Sequence, residues 1–197
     1  MPGQGRKLPL PLRGGIEFRQ VGFRYPDNEE WALRGVNLVI RPGEKIALVG
    51  HNGAGKTTLI KLLSRLYDPT EGSILIDGID IRDLDPLELQ QRIGVIFQDF
   101  VRYHLPVREN IGFGQIDALD DVERIATAAR KSGAHAVVEE LPDGYETMLG
   151  RWFHDGHELS LGQWQKIALA RAFMRDAEIL VLDEPTASVD ARTEYEI

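Results

Sequence analysis

Apolar and polar residues alternate along "IEFRQVGFRY" (residues 16–25) and again along "LRGVNLVI" (33–40), the period of two that a half-buried strand requires. The segment "KIALVG" (45–50) has another pattern. It is a continuous apolar run closed by glycine, which predicts a strand covered on both faces. A helix is expected next, over "KTTLIKLLSRLY", because Leu59, Leu62, Leu63 and Leu66 fall on one face. After the turn "DPTEG" come a strand pattern in "SILIDGIDI", a short helical piece near "DPLELQQRI" and a strand at "GVIFQ".

The texture changes from about Val101 to His157. "DDVERIATAARKSGAHAVVEEL" reads as helix and "PDGYETMLGRWFHDG" as loop. In "HELSLGQWQKIALARAFM" (157–174) a helix opens on Ser160, a good N-cap, and carries Ile167, Leu169, Ala170 and Phe173 in its next turns. "AEILVLDEP" then reads as a buried strand ending in two acids. The order predicts an α/β chain. Residues 16–98 and 176–197 would form a core lobe, and about 99–175 an inserted helical lobe with the Ser160 helix. Residues 1–15, Pro/Gly-rich and basic, read either as a linker from something else or as a flexible tail.

Composition narrows the function classes. The chain of 197 residues suffices for one domain with a sizeable core. Its net charge of −8 argues against a nucleic-acid partner bound by broad phosphate neutralisation, while leaving room for a local basic pocket. Absence of cysteine removes disulfides and thiolate metal sites and fits a reducing compartment. The longest apolar runs, "IALVG" and "ILVL", are far too short to span a bilayer, so no direct membrane insertion is expected. The N-terminus lacks the apolar segment of a signal peptide.

The chemistry concentrates at "GHNGAGKT", Gly50 to Thr57, which fits G-x-x-x-x-G-K-[ST] between a strand and a helix. Along Gly50, His51, Asn52, Gly53, Ala54 and Gly55 the glycines permit a backbone whose successive N–H groups turn toward a nucleotide's phosphates. Lys56 would reach the terminal phosphates, and Thr57 would place its hydroxyl on Mg²⁺. Thr58 adds a further phosphate donor. At the end of the last strand, Asp183 would hold Mg²⁺ and Glu184 would polarise the attacking water as general base.

With these residues in place, the chain from about Ile16 onward resembles the nucleotide-binding domain of ABC transporters. "GHNGAGKT" looks like Walker A, "ILVLDEP" like Walker B with catalytic Glu184, and "LSLGQ" like the signature motif. The resemblance implies a P-loop NTPase core sheet with an N-terminal antiparallel β portion and an inserted α-helical subdomain. It implies ATP and Mg²⁺ as cofactors. Tyr25 matches the aromatic that stacks on adenine, and Gln98 the glutamine that contacts metal and water and links the site to the membrane partner. Ser188 and Asp190 match the D-loop. Ser160, Leu161, Gly162 and Gln163 would bind the γ-phosphate held by a second nucleotide-binding domain in a head-to-tail dimer.

The sequence departs from the family pattern at three places. Leu161 stands where the signature usually has its first glycine. His154, two residues before Gly156, stands where exporters have glutamate. None of the five histidines follows Walker B, where the family's switch histidine lies, so the chain is expected to be a C-terminally incomplete piece of a longer transporter.

The N-terminal "LPLPLRGGIEFRQVGFRYP", with "VRENIGFG", resembles exporters whose transmembrane domain precedes this one. The resemblance thus implies an ATPase that powers solute export at the cytoplasmic face of a bacterial inner membrane. Two other readings stand beside it. One is a nucleotide-binding module with little turnover, lacking its last strands and switch histidine. The other is a soluble ABC ATPase of DNA repair or translation, disfavoured because no long coiled-coil insertion fits between the glycine loop and the signature.

Overall fold

A computed structural model describes residues 5–97, 99–152 and 156–183. The two strands that the alternating patterns predict form, and β1 (Ile16–Phe23) pairs antiparallel with β2 (Leu33–Ile40). Strict alternation would bury either Ile16 and Phe18 or Val21 and Phe23. All four are buried, because the register slips between Phe18 and Val21, where Gln20 takes a positive φ of 48°. This bulge reverses the side-chain parity and turns both pairs inward.

Helix α1 (Lys56–Leu63) follows, burying Leu59, Ile60, Leu62 and Leu63. Next come β3 (Glu71–Ile76) and β4 (Ile79–Asp80), joined at Asp77-Gly78. Both turn residues have positive φ, 50° and 75°, the geometry of the tight hairpin turns that suit strand twist. The sheet order is β2-β1-β3-β4. Helix α2 (Pro86–Arg92) starts on Asp85, whose carboxylate accepts from the Leu87 N–H, with Pro86 in the first turn.

One expected strand does not form. Residues 45–50 adopt no regular structure, and Val49 is 94% exposed. A strand buried on both faces takes its hydrogen bonds from neighbours. Among the described residues, the sheet of this unit consists of β2, β1, β3 and β4 and gives the run no partner. Its apolar pattern is local, but its strand character is not.

The segment before β1 lies against this unit. The Asp77 carboxylate accepts the N–H groups of Arg13, Gly14 and Gly15 at 2.8, 2.7 and 3.0 Å. Leu8 is buried, and its N–H donates to Glu88. Residues up to Ile93 form one compact unit and those from Gly94 a second.

Strand β5 (Ile93–Ile96), which starts at the last residue of the first unit and runs into the second, pairs with β6 (Ile179–Leu182). Between them come α3 (Val107–Gly112), α4 (Val122–Lys131), α5 (Ala134–Glu139) and α6 (Leu161–Phe173). The single helical pattern over 120–141 breaks at Gly133, whose φ of 71° ends α4 and opens α5. Val107, Ile111, Ile125, Val137, Leu149, Trp164 and Ile167 belong to the shared core of these helices.

Arg171 pins the segment before α3 to α6. It donates to the carbonyls of Asn110 and Val101 at 2.8 and 3.0 Å, and its guanidinium lies 4.6 Å from the Tyr103 ring centroid. Burial lowers its pKa from the ordinary value, with Tyr103 opposing. Arg171→Ala leaves two carbonyls short of a donor and should lower stability by about 2 kcal/mol. Urea unfolding checks this, and an unchanged midpoint refutes the role. On the same unit the His104 and Trp152 rings stack at 4.4 Å, with Trp152 82% exposed. Gly150 permits the stack, since a Cβ there would strike the imidazole.

Candidate functional site

The glycine loop leads into α1 as the motif requires. Gly55 caps the helix in the left-handed region at φ 90°, and a Cβ there would lie 2.5 Å from Leu33 Cδ2 and 2.9 Å from the Ala32 carbonyl oxygen. Two independent constraints, φ and space, therefore demand glycine. Gly53 has φ 84°, and a Cβ there would meet nothing within 4 Å, so this side of the loop is open. The loop is otherwise tied by the Ala54 N–H to the His51 carbonyl.

Lys56, the first residue of α1, curls back over the loop. Its ammonium donates to the carbonyls of Gly50 at 2.7 Å and His51 at 3.2 Å. A cation is thus held beside the exposed run from His51 to Ala54, where an anion entering the loop would meet it. Thr57 is exposed in the first turn, while Thr58 is 7% exposed. An open glycine cradle, a positioned ammonium and an exposed hydroxyl form a donor set that fits a nucleotide's phosphates with Mg²⁺.

Tyr25 lies just past the end of β1, and its hydroxyl is 3.1 Å from Thr58 Oγ1. The structure thereby brings together Tyr25, Gly50, Lys56, Thr57 and Thr58 on one unit. It adds residues without a motif of their own. Phe23 and Tyr67 pack on Tyr25 with ring centroids 4.9 and 5.4 Å away, and Lys61 Nζ lies 5.7 Å from the Tyr25 centroid.

The second unit carries the other expected groups. Ser160 caps α6 through a reciprocal box: the Gln163 N–H donates to Ser160 Oγ at 3.3 Å, and the Ser160 N–H donates to Gln163 Oε1 at 2.8 Å. Leu161 is 43% exposed, and a Cβ on Gly162 would meet nothing within 4 Å. Asp183 follows β6, is 5% exposed, and donates its N–H to the Ile96 carbonyl. Gln98, His154, Glu184, Ser188 and Asp190 lie outside the described residues.

Comparison with known proteins shows the family and the fold. A family model described as ABC transporter matches residues 33–187. The subtilin transport ATP-binding protein SpaT of Bacillus subtilis is 43% identical over 195 residues, covering 98% of this chain and 32% of that protein. An ATP-dependent lipid A-core flippase of Alkalilimnicola ehrlichii is 41% identical, covering 100% of this chain and 33% of the flippase. Among solved structures, a bacterial Atm1-family ABC exporter with ATP bound superposes with a TM-score of 0.88 at 35% identity, over 99% of this chain and 33% of that one. The chain spans about a third of the length of these relatives.

Proposed function

The chain belongs to the ABC transporter family, and from that premise we propose that it is the ATP-binding and ATP-hydrolysing part of an exporter. The observation that carries this reading is the tie between Tyr25 and Thr58. It sets an aromatic ring suited to a base beside the start of the glycine-loop helix, within one unit.

In this mechanism Tyr25 stacks on adenine, the loop from Gly50 to Gly55 gives N–H groups to the phosphates, and Lys56 turns from its loop carbonyls to the terminal phosphates. Thr57, Gln98 and Asp183 would hold Mg²⁺, which neutralises charge developing on the transferred phosphoryl oxygens. Glu184 takes the proton of the attacking water.

The start of α6 meets a nucleotide held by a second copy or a similar domain. Ser160, Gly162 and Gln163 face its γ-phosphate, and Ser188 and Asp190 lie in the adjoining segment. Outward placement of Leu161 supports this reading, because a side chain turned into solvent leaves the backbone donors accessible. Closure of the head-to-tail pair would move the transmembrane partner at the cytoplasmic face of the membrane, and hydrolysis would reset it. The names of the relatives, a subtilin transport protein and a lipid A-core flippase, support export without fixing the solute.

A second reading, a nucleotide-binding module with little turnover, is favoured by the irregular and exposed run at 45–50, which joins no sheet among the described residues on the strand side of the glycine loop. The ATPase rate per molecule against protein concentration, with Mg²⁺, separates the two. The exporter reading expects a specific rate that climbs with concentration, because each site needs a second chain. A rate at background throughout favours the binding module.

A further inference from the structure

Three rings meet beside the glycine-loop helix. Besides the contacts of Tyr25 with Phe23 and Tyr67, the Phe23 and Tyr67 centroids are 5.4 Å apart, so each ring touches the other two. The Tyr25–Phe23 and Tyr25–Tyr67 pairs are nearly perpendicular, at 79° and 84°, the edge-to-face arrangement that aromatic quadrupoles favour.

The loop that carries Tyr67 is fixed at both ends. Behind α1, Arg65 holds a φ of 51° and donates to the carbonyls of Leu84 and Arg82. Ahead of β3, the Thr70 N–H donates to the Gly22 carbonyl, and the Arg24 N–H donates to Thr70 Oγ1. These two bonds flank Phe23, so the Tyr67 loop is tied to the same stretch of β1 that leads into Tyr25.

We infer that Tyr67 is a positioning residue for the nucleotide base: it sets the plane of the Tyr25 ring on which the base stacks. The inference rests on the nucleotide reading of this site. Tyr25 has two anchors of different kinds. Its hydroxyl is held by Thr58 at the phosphate end of α1, and its ring is braced by Phe23 and by Tyr67 from the far end of the same helix. A hydroxyl bond alone leaves the ring free to rotate about the axis through Cβ and the oxygen. Packing against the ring removes that freedom before a base arrives, which raises affinity by lowering the ordering cost. Lys61 is the flexible neighbour at the ring, and its long stem swings aside at small cost.

The test compares ATP with inorganic tripolyphosphate, which has the phosphates and no base, by calorimetric titration of the full chain with Mg²⁺. Tyr67→Leu should weaken ATP binding about 3- to 10-fold and leave tripolyphosphate within about twofold, and Tyr67→Phe should restore ATP binding because the ring does the bracing. Equal weakening of both ligands would mean a general structural role and would overturn the inference, as would unchanged ATP affinity. Tyr25→Leu separates the underlying reading. If it leaves ATP binding unchanged, the base does not stack on Tyr25, and both fall. If it weakens ATP alone while Tyr67→Leu does nothing, only Tyr67 loses its role.

Discussion

Lys56→Ala is expected to lower ATP affinity 100- to 1000-fold. Hydrogen bonds to charged groups contribute about 1.5–3 kcal/mol each, and an ammonium bridging two terminal phosphates makes two, about 3–6 kcal/mol in all; giving up its bonds to the Gly50 and His51 carbonyls offsets part of this, which places the net loss at about 3–4 kcal/mol. The resting geometry explains why no neighbour substitutes. Lys56 already spans the loop by donating to Gly50 and His51, so the cation stands at the cradle before a ligand binds. Lys61 is directed instead toward the Tyr25 ring. The loop itself is exposed, and its clasp adds little to stability, so the variant should unfold close to wild type. Calorimetric titration with MgATP checks the prediction, and unchanged binding would refute the assignment of the phosphate site.

Glu184→Gln should keep ATP binding and reduce hydrolysis by about 10²–10⁴-fold, the contribution typical of a positioned general base. Glutamine preserves size and hydrogen-bonding reach but cannot take the proton of water. Its neighbour in the chain, Asp183, is buried after β6 with its N–H on Ile96, the end of a strand where ligands gather in open α/β folds. Phosphate release measured at the concentration of highest wild-type rate, together with MgATP binding, tests it. A variant that turns over like wild type would place the base at another residue.

Local chemistry was legible in the sequence and long-range pairing was not. The glycine loop is a contiguous motif, and the positive φ at Gly53 and Gly55 is what its glycines predict. Ser160 with Gln163 is likewise a local signature, and the capping box forms. The strands β1 and β2 were each visible as alternation, but their pairing and the bulge at Gln20 were not, because both are set by the register between the two strands. The strand expected over residues 45–50 failed for the opposite reason: apolar content says that a segment seeks cover and does not say what will cover it. Tyr67 carries no spacing rule relative to Tyr25, and Arg171 none relative to Asn110, although each pair meets in space. Such contacts follow from how loops are tied, and only the fold reveals them.

The stack of His104 with Trp152 has an optical consequence. The chain has three tryptophans in three surroundings: Trp31 under the Arg24 guanidinium at 3.9 Å, Trp164 in the helical core, and Trp152 in water against an imidazole. Emission wavelength follows the polarity around the indole, so the Trp164 and Trp152 components separate toward the blue and the red. The Trp152 component also reports on its imidazole neighbour through the ring contact at 4.4 Å. A protein docking on that face would therefore be read as a colour and intensity change from one native side chain, without an attached dye.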